Sequence, residues 1–303
     1  MVNNTVKIFG KIKQSVRKNL FSAFHSSRIQ MRVSVGEQLN LIQQYKSLSS
    51  PFSFNDIGFQ NFSGTNEDGI LLYIFAILGV TNKKLVDIGA ALPFGSNSAN
   101  LLIGHHWDGL LIDGSSESKS ISDYIYKQIP ATRTSPPIYV NEFVTSDNIN
   151  DILKKNGFEG DIDLLSLDID GIDYWVLKSI SIVQPRVIIV EYQTVLGSDL
   201  QYTIPNDPEY RSTQAEINLH DSKTILYAGA SLKALNNLMN EKGYYLAGCN
   251  YLDFNAFFIR KNLYSNLLPE ISISDCFSSR RTKELISKYQ SSITLMDWDD
   301  LSR

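Results

Sequence analysis

Cysteine is scarce in this 303-residue sequence: only Cys249 and Cys276 occur, without zinc-site spacing. Two thiols cannot build a disulfide framework, which excludes a small stapled scaffold and leaves two inert thiols of a reducing compartment. Long apolar runs are missing as well. The longest, ILLYIFAILGV at 70–80, has 11 residues, whereas a membrane-spanning helix needs roughly 20. It reads as a buried helix. There is no surplus of positive charge either, because 28 Lys and Arg stand against 32 Asp and Glu for a net charge of −4. That balance gives no global pull toward a polyanion, so no nucleic-acid partner is expected. No internal repeat or low-complexity tract is present. A secretory signal is disfavoured because charges interrupt the first apolar positions and no small-residue cleavage pattern follows.

With 43% hydrophobic and 20% charged residues, the chain can bury a sizeable core, and one globular domain with extensions is expected. Residues 1–50 carry eight Lys or Arg against the single acid Glu37. Ile8, Ile12, Val16, Leu20 and Phe24 recur every fourth residue there, the pattern of an amphipathic helix over 6–24. Two readings stand. In the one carried forward, the helix packs on the domain or a partner; in the other, it makes peripheral contact with an anionic membrane. The stretch SSPFSF at 49–54 reads as a linker. The expected division is a basic extension and linker over 1–54, a main domain over 55–262 and a C-terminal extension over 263–303.

From Lys84 the sequence alternates short β-rich runs with helix-length segments. The runs are KLVDIG (84–89), GLLIDG (109–114), IYVNEFVT (138–145), IDLLSLDID (162–170) and RVIIVEY (186–192). Helices are predicted at 95–104, 117–128, 147–156 and 173–180. Strands that are apolar throughout belong to a parallel sheet covered on both faces. An irregular segment, 193–228, and a helix at 230–242 follow, and then GYYLAGCN (243–250) and NAFFIR (255–260) read as a hairpin. The predicted fold is a doubly wound, Rossmann-like α/β domain with a seven-stranded, mostly parallel sheet ending in an antiparallel hairpin.

Ligands of such sheets collect at the carboxyl ends of the strands. The first strand ends in Asp87, Ile88, Gly89, Ala90 and Ala91, small residues that let a ligand approach. Asp87 reads as an anchor for the turn or as part of the cofactor site. The second strand ends in Asp113, Gly114 and Ser115, 24 residues after Gly89. That is near the spacing at which an acid accepts both ribose hydroxyls of an adenosine, with helix capping as the alternative. A nicotinamide enzyme would carry G-x-G-x-x-G after the first strand to hold pyrophosphate. The chain reads GAALPFG, which suits S-adenosylmethionine better. Asp168 and Asp170 end the fourth strand, and Glu191 and Gln193 end the fifth. The three acids could hold Mg2+ or Mn2+ against a substrate hydroxyl; alternatively they cap the helix starting near Asp173 or meet the cofactor amine. His220, in the irregular segment, is a candidate general base, set against an ordinary surface histidine. His105 and His106 read as surface residues. Glu67 and Asp68 read as caps of the helix at 70–80, with cofactor contact as the alternative.

The stretches QNFSGTNEDGIL (60–71), ANLLIGHHWDGLLIDG (99–114), LLSLDIDGIDYWVLKSI (164–180), VIIVEYQ (187–193), YAGASLKAL (227–235) and GCNYLDFNAFFIR (248–260), in this order, resemble the FkbM-type methyltransferases that modify sugars. The resemblance covers roughly 55–262. It implies an S-adenosylmethionine-dependent O-methyltransferase of class I fold that acts on a sugar or polysaccharide hydroxyl; a cytoplasmic setting is expected, and the oligomeric state is open. Asp113 would hold the ribose, Gly89, Ala90 and Gly114 would admit the cofactor, and Asp168, Asp170 and Glu191 would hold a metal. Relatives keep more glycine where this chain has Ala90 and Ala91. A non-catalytic binding module on the same fold is the rival from another class, and a nicotinamide oxidoreductase is a third reading.

Overall fold

The protein is described from a computed structural model, over residues 33–210, 227–293 and 296–302. The amphipathic pattern at 6–24 and His220 lie outside these residues.

Chain entry is set by a capping box. Ser34 Oγ accepts from the Glu37 amide and the Glu37 carboxylate accepts from the Ser34 amide, which starts α1 (Val35–Lys46). A short α2 (Phe54–Ile57) and the apolar α3 (Glu67–Leu78) follow. Phe54 lies where a linker was expected, but its ring is buried edge-on against Tyr73 and Phe257. An apolar ring of that size gains more inside the fold than along a tether.

Then the alternation begins: β1 (Lys84–Ile88), α4 (Ala99–His105), β2 (Asp108–Asp113), α5 (Ser116–Gln128), β3 (Ile138–Asn141), α6 (Ile149–Lys155), β4 (Gly160–Leu167), α7 (Asp173–Ser179) and β5 (Val183–Glu191). A two-residue β6 (Tyr202–Thr203), α8 (Leu232–Glu241), β7 (Tyr244–Cys249) and β8 (Asn255–Arg260) come next. The chain closes with α9 (Arg280–Ile293) and β9 (Asp299–Asp300), which pairs with β6. The main sheet has the order β3-β2-β1-β4-β5-β8-β7. Five strands run parallel, β8 is antiparallel to β5, and β7 is antiparallel to β8. This is the predicted layout, with two members that end early: the third strand stops at Asn141 rather than at 145, and the fourth at Leu167 rather than at 170.

Side-chain alternation sorts the strands into two cores. Leu85, Leu111, Leu164, Val187, Ile189 and Phe257 pack under α1 and α3. Val86, Ile112, Leu165, Ile188 and Phe258 pack under α6, α7 and α8. Continuing this parity, Asp87, Asp113, Ser166, Asp168, Glu191 and Asn255 all belong to the α3 face at the carboxyl edge of the sheet. Among the described residues no helix is long and apolar enough to cross a membrane.

Candidate cofactor and acceptor site

The turns after β1, β2 and β4 surround a cavity of about 780 Å3, the size of a small-molecule site. Its floor depends on one glycine. Gly89 has φ +84°, and a Cβ there would lie 1.6 Å from the Asp168 carbonyl oxygen. Only glycine lets the β1 and β4 turns approach this closely. The Gly89 and Ala90 amides both donate to the Ile112 carbonyl, at 2.8 and 3.2 Å, and so tie the β1 turn to β2. Ala91 then takes φ +40°, a left-handed conformation that favours glycine.

Asp113 sits across from this turn. One carboxylate oxygen accepts from the Ala91 amide at 3.2 Å and the other from the Ser115 amide at 2.7 Å. Two amides therefore fix the group against the cavity, and each oxygen keeps a second lone pair for a ligand. Helix capping itself falls to the neighbour, because Ser115 Oγ accepts from the Ser118 amide at 3.2 Å at the start of α5. Beside it, a Cβ on Gly114 would come within 2.4 Å of the Phe143 ring. Phe143 is 54% exposed and lines the cavity with Glu142 and Val144, offering an apolar plane to a flat ligand. These residues were read as strand from the sequence. The chain leaves the sheet at Asn141, and that departure turns them toward the cavity.

Asp87 is buried and accepts from Ser96 Oγ at 2.8 Å and Ser98 Oγ at 2.6 Å. Burial pushes its pKa up, partly offset by these hydroxyls. It anchors the 96–98 segment through hydroxyls, where turn amides were expected, while also lining the cavity.

Asp168, Asp170 and Glu191 come together: one carboxylate oxygen from each lies within 4.8 Å of the other two. Asp170 is held at φ +52° on the turn after β4. The helix-capping alternative is not realised: α7 starts without a side-chain cap, and Asp173 instead accepts from the amides of Ile169 and Gly171 in the preceding turn, each at 2.9 Å. Burial, then Asp170 and Asp173, push Asp168 up to about 8. Burial and Asp168 push Glu191 well above the usual carboxylate range. Among the described residues no cation forms an ion pair with Asp168 or Glu191. Three carboxylates this close cannot all stay charged without a proton or a cation among them. The donor set, all hard oxygens, fits magnesium or manganese.

Tyr210 closes the side of the cavity beyond this cluster. Its ring lies 2.9 Å from where a Gly171 Cβ would stand, and its hydroxyl donates to the Tyr227 carbonyl. Nothing local in the sequence singled it out. Glu67 and Asp68 are buried away from the cavity lining. Asp68 accepts from the amides of Asn61, Phe62 and Ser63 at 2.6–2.9 Å, and Glu67 accepts from the Thr65 amide at 2.8 Å. Both fasten the loop that leads into α3. His105 and His106 lie away from the cavity; His105 is hydrogen-bonded to Gln38 at 2.7 Å.

No curated protein matches the sequence. Among solved structures, the chain is similar to the O-methyltransferase from Bacillus cereus in complex with SAH, at 14% identity and a TM-score of 0.40, covering 78% of this chain and 94% of that one. It is also similar to an O-methyltransferase family protein from Burkholderia thailandensis, at 8% identity and a TM-score of 0.38, covering 74% and 68%. The family model described as the methyltransferase FkbM domain matches residues 77–246, from the end of α3 to the middle of β7. That span takes in the whole parallel sheet and every strand-end acid around the cavity, and the chain belongs to the FkbM methyltransferase family.

Proposed function

We propose that the protein transfers the methyl group of S-adenosylmethionine to a hydroxyl of a sugar or polysaccharide precursor. The observation that carries this reading is the opening of two different kinds of site on one cavity. A fixed acid with spare lone pairs, Asp113, stands beside the flat Phe143 ring at one side, and Asp168 and Asp170, with Glu191 clustered behind them, line the other. The first suits a ribose and a purine. The second suits a hydroxyl that must lose its proton.

The methyl carbon leaves sulfur, whose bonding pair stays behind to give a neutral thioether, as the acceptor oxygen forms the new C–O bond. The proton released from the oxygen needs a base. Asp168, raised to about 8, sits near the pKa at which a base is both unprotonated and strong enough at neutral pH. Glu191 shares its charge with Asp168 and would stabilise the pair after the proton arrives. Bound among these carboxylates, a divalent cation would lower the pKa of the acceptor hydroxyl. Gly89 and Ala90 line the methionine side, and Gly114 leaves room for Phe143. We take 55–262 as the catalytic unit, with 1–54 and 263–303 as flanking segments. A cytoplasmic setting is in keeping with the free thiols Cys249 and Cys276.

Calorimetry with S-adenosylmethionine and a nicotinamide dinucleotide separates this reading from the oxidoreductase. Heat is expected only with the first. Asp113→Ala should weaken that binding by about 2–3 kcal/mol, the value of two charge-assisted hydrogen bonds, while the variant still folds. Mass spectrometry of nucleotide sugars and oligosaccharides incubated with enzyme and cofactor should then show the gain of one methyl group. Cofactor binding with no methylated product across sugars, but with product on phenols, would replace the acceptor class.

A further inference from the structure

Behind the acid cluster lies a second polar group whose arrangement points toward it. Glu191 and Asn255 are directly opposed in the antiparallel pairing of β5 with β8, so their side chains share one face. Cβ atoms of opposed residues stand roughly 4.5–5.5 Å apart. Asn255 is 2% exposed. Its amide nitrogen donates to Glu67 Oε1 at 3.0 Å, and because a carboxylate can only accept there, that bond fixes which end of the amide is nitrogen. The other end, Oδ1, is turned away from Glu67 and has no hydrogen-bond partner among the described residues.

A buried carbonyl oxygen left unsatisfied is costly and calls for a ligand. The surroundings explain how it is held in place. Glu67 also accepts from Asn250 Nδ2 at 2.8 Å and from the Thr65 hydroxyl at 2.7 Å. Asn250 Oδ1 in turn accepts from the Asn255 amide at 3.1 Å. The side chain is therefore locked by one carboxylate and its backbone by a second asparagine, with the free oxygen on the face that carries Glu191.

We propose that Asn255 supplies a neutral oxygen donor to a divalent cation held by Asp168, Asp170 and Glu191, with Glu67 as the residue that positions it. The proposal rests on the reading of those three acids as a cation site. A neutral fourth oxygen suits such a site, because a further carboxylate would add charge that the cation could not offset.

Mn2+ binding to the full chain, stripped of metal and followed by electron paramagnetic resonance and calorimetry, tests this without turnover. The wild type should bind one Mn2+, and Asn255→Ala should raise its Kd by about 10–100-fold, the usual effect of losing such a supporting group. Because the alanine variant leaves Glu67 short of a donor, Asn255→Ser is measured beside it. Serine keeps a small polar group there but withdraws the carbonyl oxygen, so Mn2+ should again bind more weakly to the folded variant. Wild-type Mn2+ affinity and an unchanged spectrum in folded Asn255→Ser would overturn the role of Asn255 and leave the three acids as the cation site. A wild type that binds no Mn2+ would overturn both.

Discussion

The two ends of β4 each bury an aspartate, five residues apart, yet their surroundings are opposite. At the amino end, Asp163 meets Arg186 at 2.8 Å and accepts from the amides of Thr81, Asn82 and Lys83 at 2.7–3.0 Å. Burial alone would push it up, but Arg186 and those amides hold it below the usual carboxylate range. At the carboxyl end, Asp168 faces Asp170, Asp173 and Glu191 and is pushed up to about 8. One acid is satisfied by the fold. The other shares its site with further carboxylates and needs a proton or a cation among them, the arrangement that marks a candidate functional acid.

The largest effect should come from breaking the satisfied end. Arg186 also donates to the carbonyls of Leu78 and Gly79 at 2.9 and 2.7 Å, so Arg186→Met strands a buried carboxylate and two carbonyls together. Removing one partner of a buried pair costs about 3–5 kcal/mol. Urea unfolding should show that loss. Asp168→Asn should do the reverse: the melting temperature holds or rises because a repelled charge is gone, while turnover falls by about 100-fold or more. A variant Asp168→Asn that loses several kcal/mol of stability would mean that its carboxylate is structural too.

Much of this comparison was legible in the sequence, and the unread part has a physical cause. Apolar runs ending in Asp87, Asp113, Asp168 and Glu191 announced a parallel sheet with acids on one edge, because period and strand ends are local properties. The sequence could not show that Gly89 makes room for the Asp168 carbonyl, or that Asn255 stands opposite Glu191. Those facts depend on which strands are neighbours, and register is set by the whole sheet. Phe143 was hidden for a related reason. Its apolar neighbours, Ile138 to Val144, kept the look of a strand past Asn141, where the chain turns away. Phe54 was hidden by its flanking serines and proline, which resemble a linker wherever the ring goes.

A middle-sized effect follows from pH. Asp in the unfolded chain titrates near 3.9, and in the fold Asp168 is raised to about 8. Between these values the native state binds a proton that the unfolded state has released, so metal-free stability should fall as pH rises from 4 toward 8. Asp163, lowered in the fold, acts in the opposite direction and loses its contribution only on acidification. Melting temperatures across pH 5–8 in chelator should therefore slope downward. Millimolar Mn2+ should flatten the slope, and so should Asp168→Asn without metal. A wild-type slope that neither change alters would assign the pH dependence to other groups and remove the contrast between the ends of β4.

The smallest effect concerns the turn that faces Asp113. Ala91 has φ +40°, where a Cβ crowds the backbone at a cost of roughly 1–2 kcal/mol, and its methyl group is exposed, so little packing offsets that strain. What holds the conformation is polar: the Ala91 amide donates to Asp113, and its carbonyl accepts from the hydroxyls of Ser122 and Tyr139 at 3.0 and 2.7 Å. Ala91→Gly relieves the crowding but gives the unfolded chain more freedom, worth about 0.4–1 kcal/mol in the other direction. The net expectation is a gain of about 0.5–1 kcal/mol in unfolding free energy, with S-adenosylmethionine affinity nearly unchanged because the three backbone contacts need no side chain. A loss of about 1 kcal/mol instead would show that the turn carries no strain at Ala91.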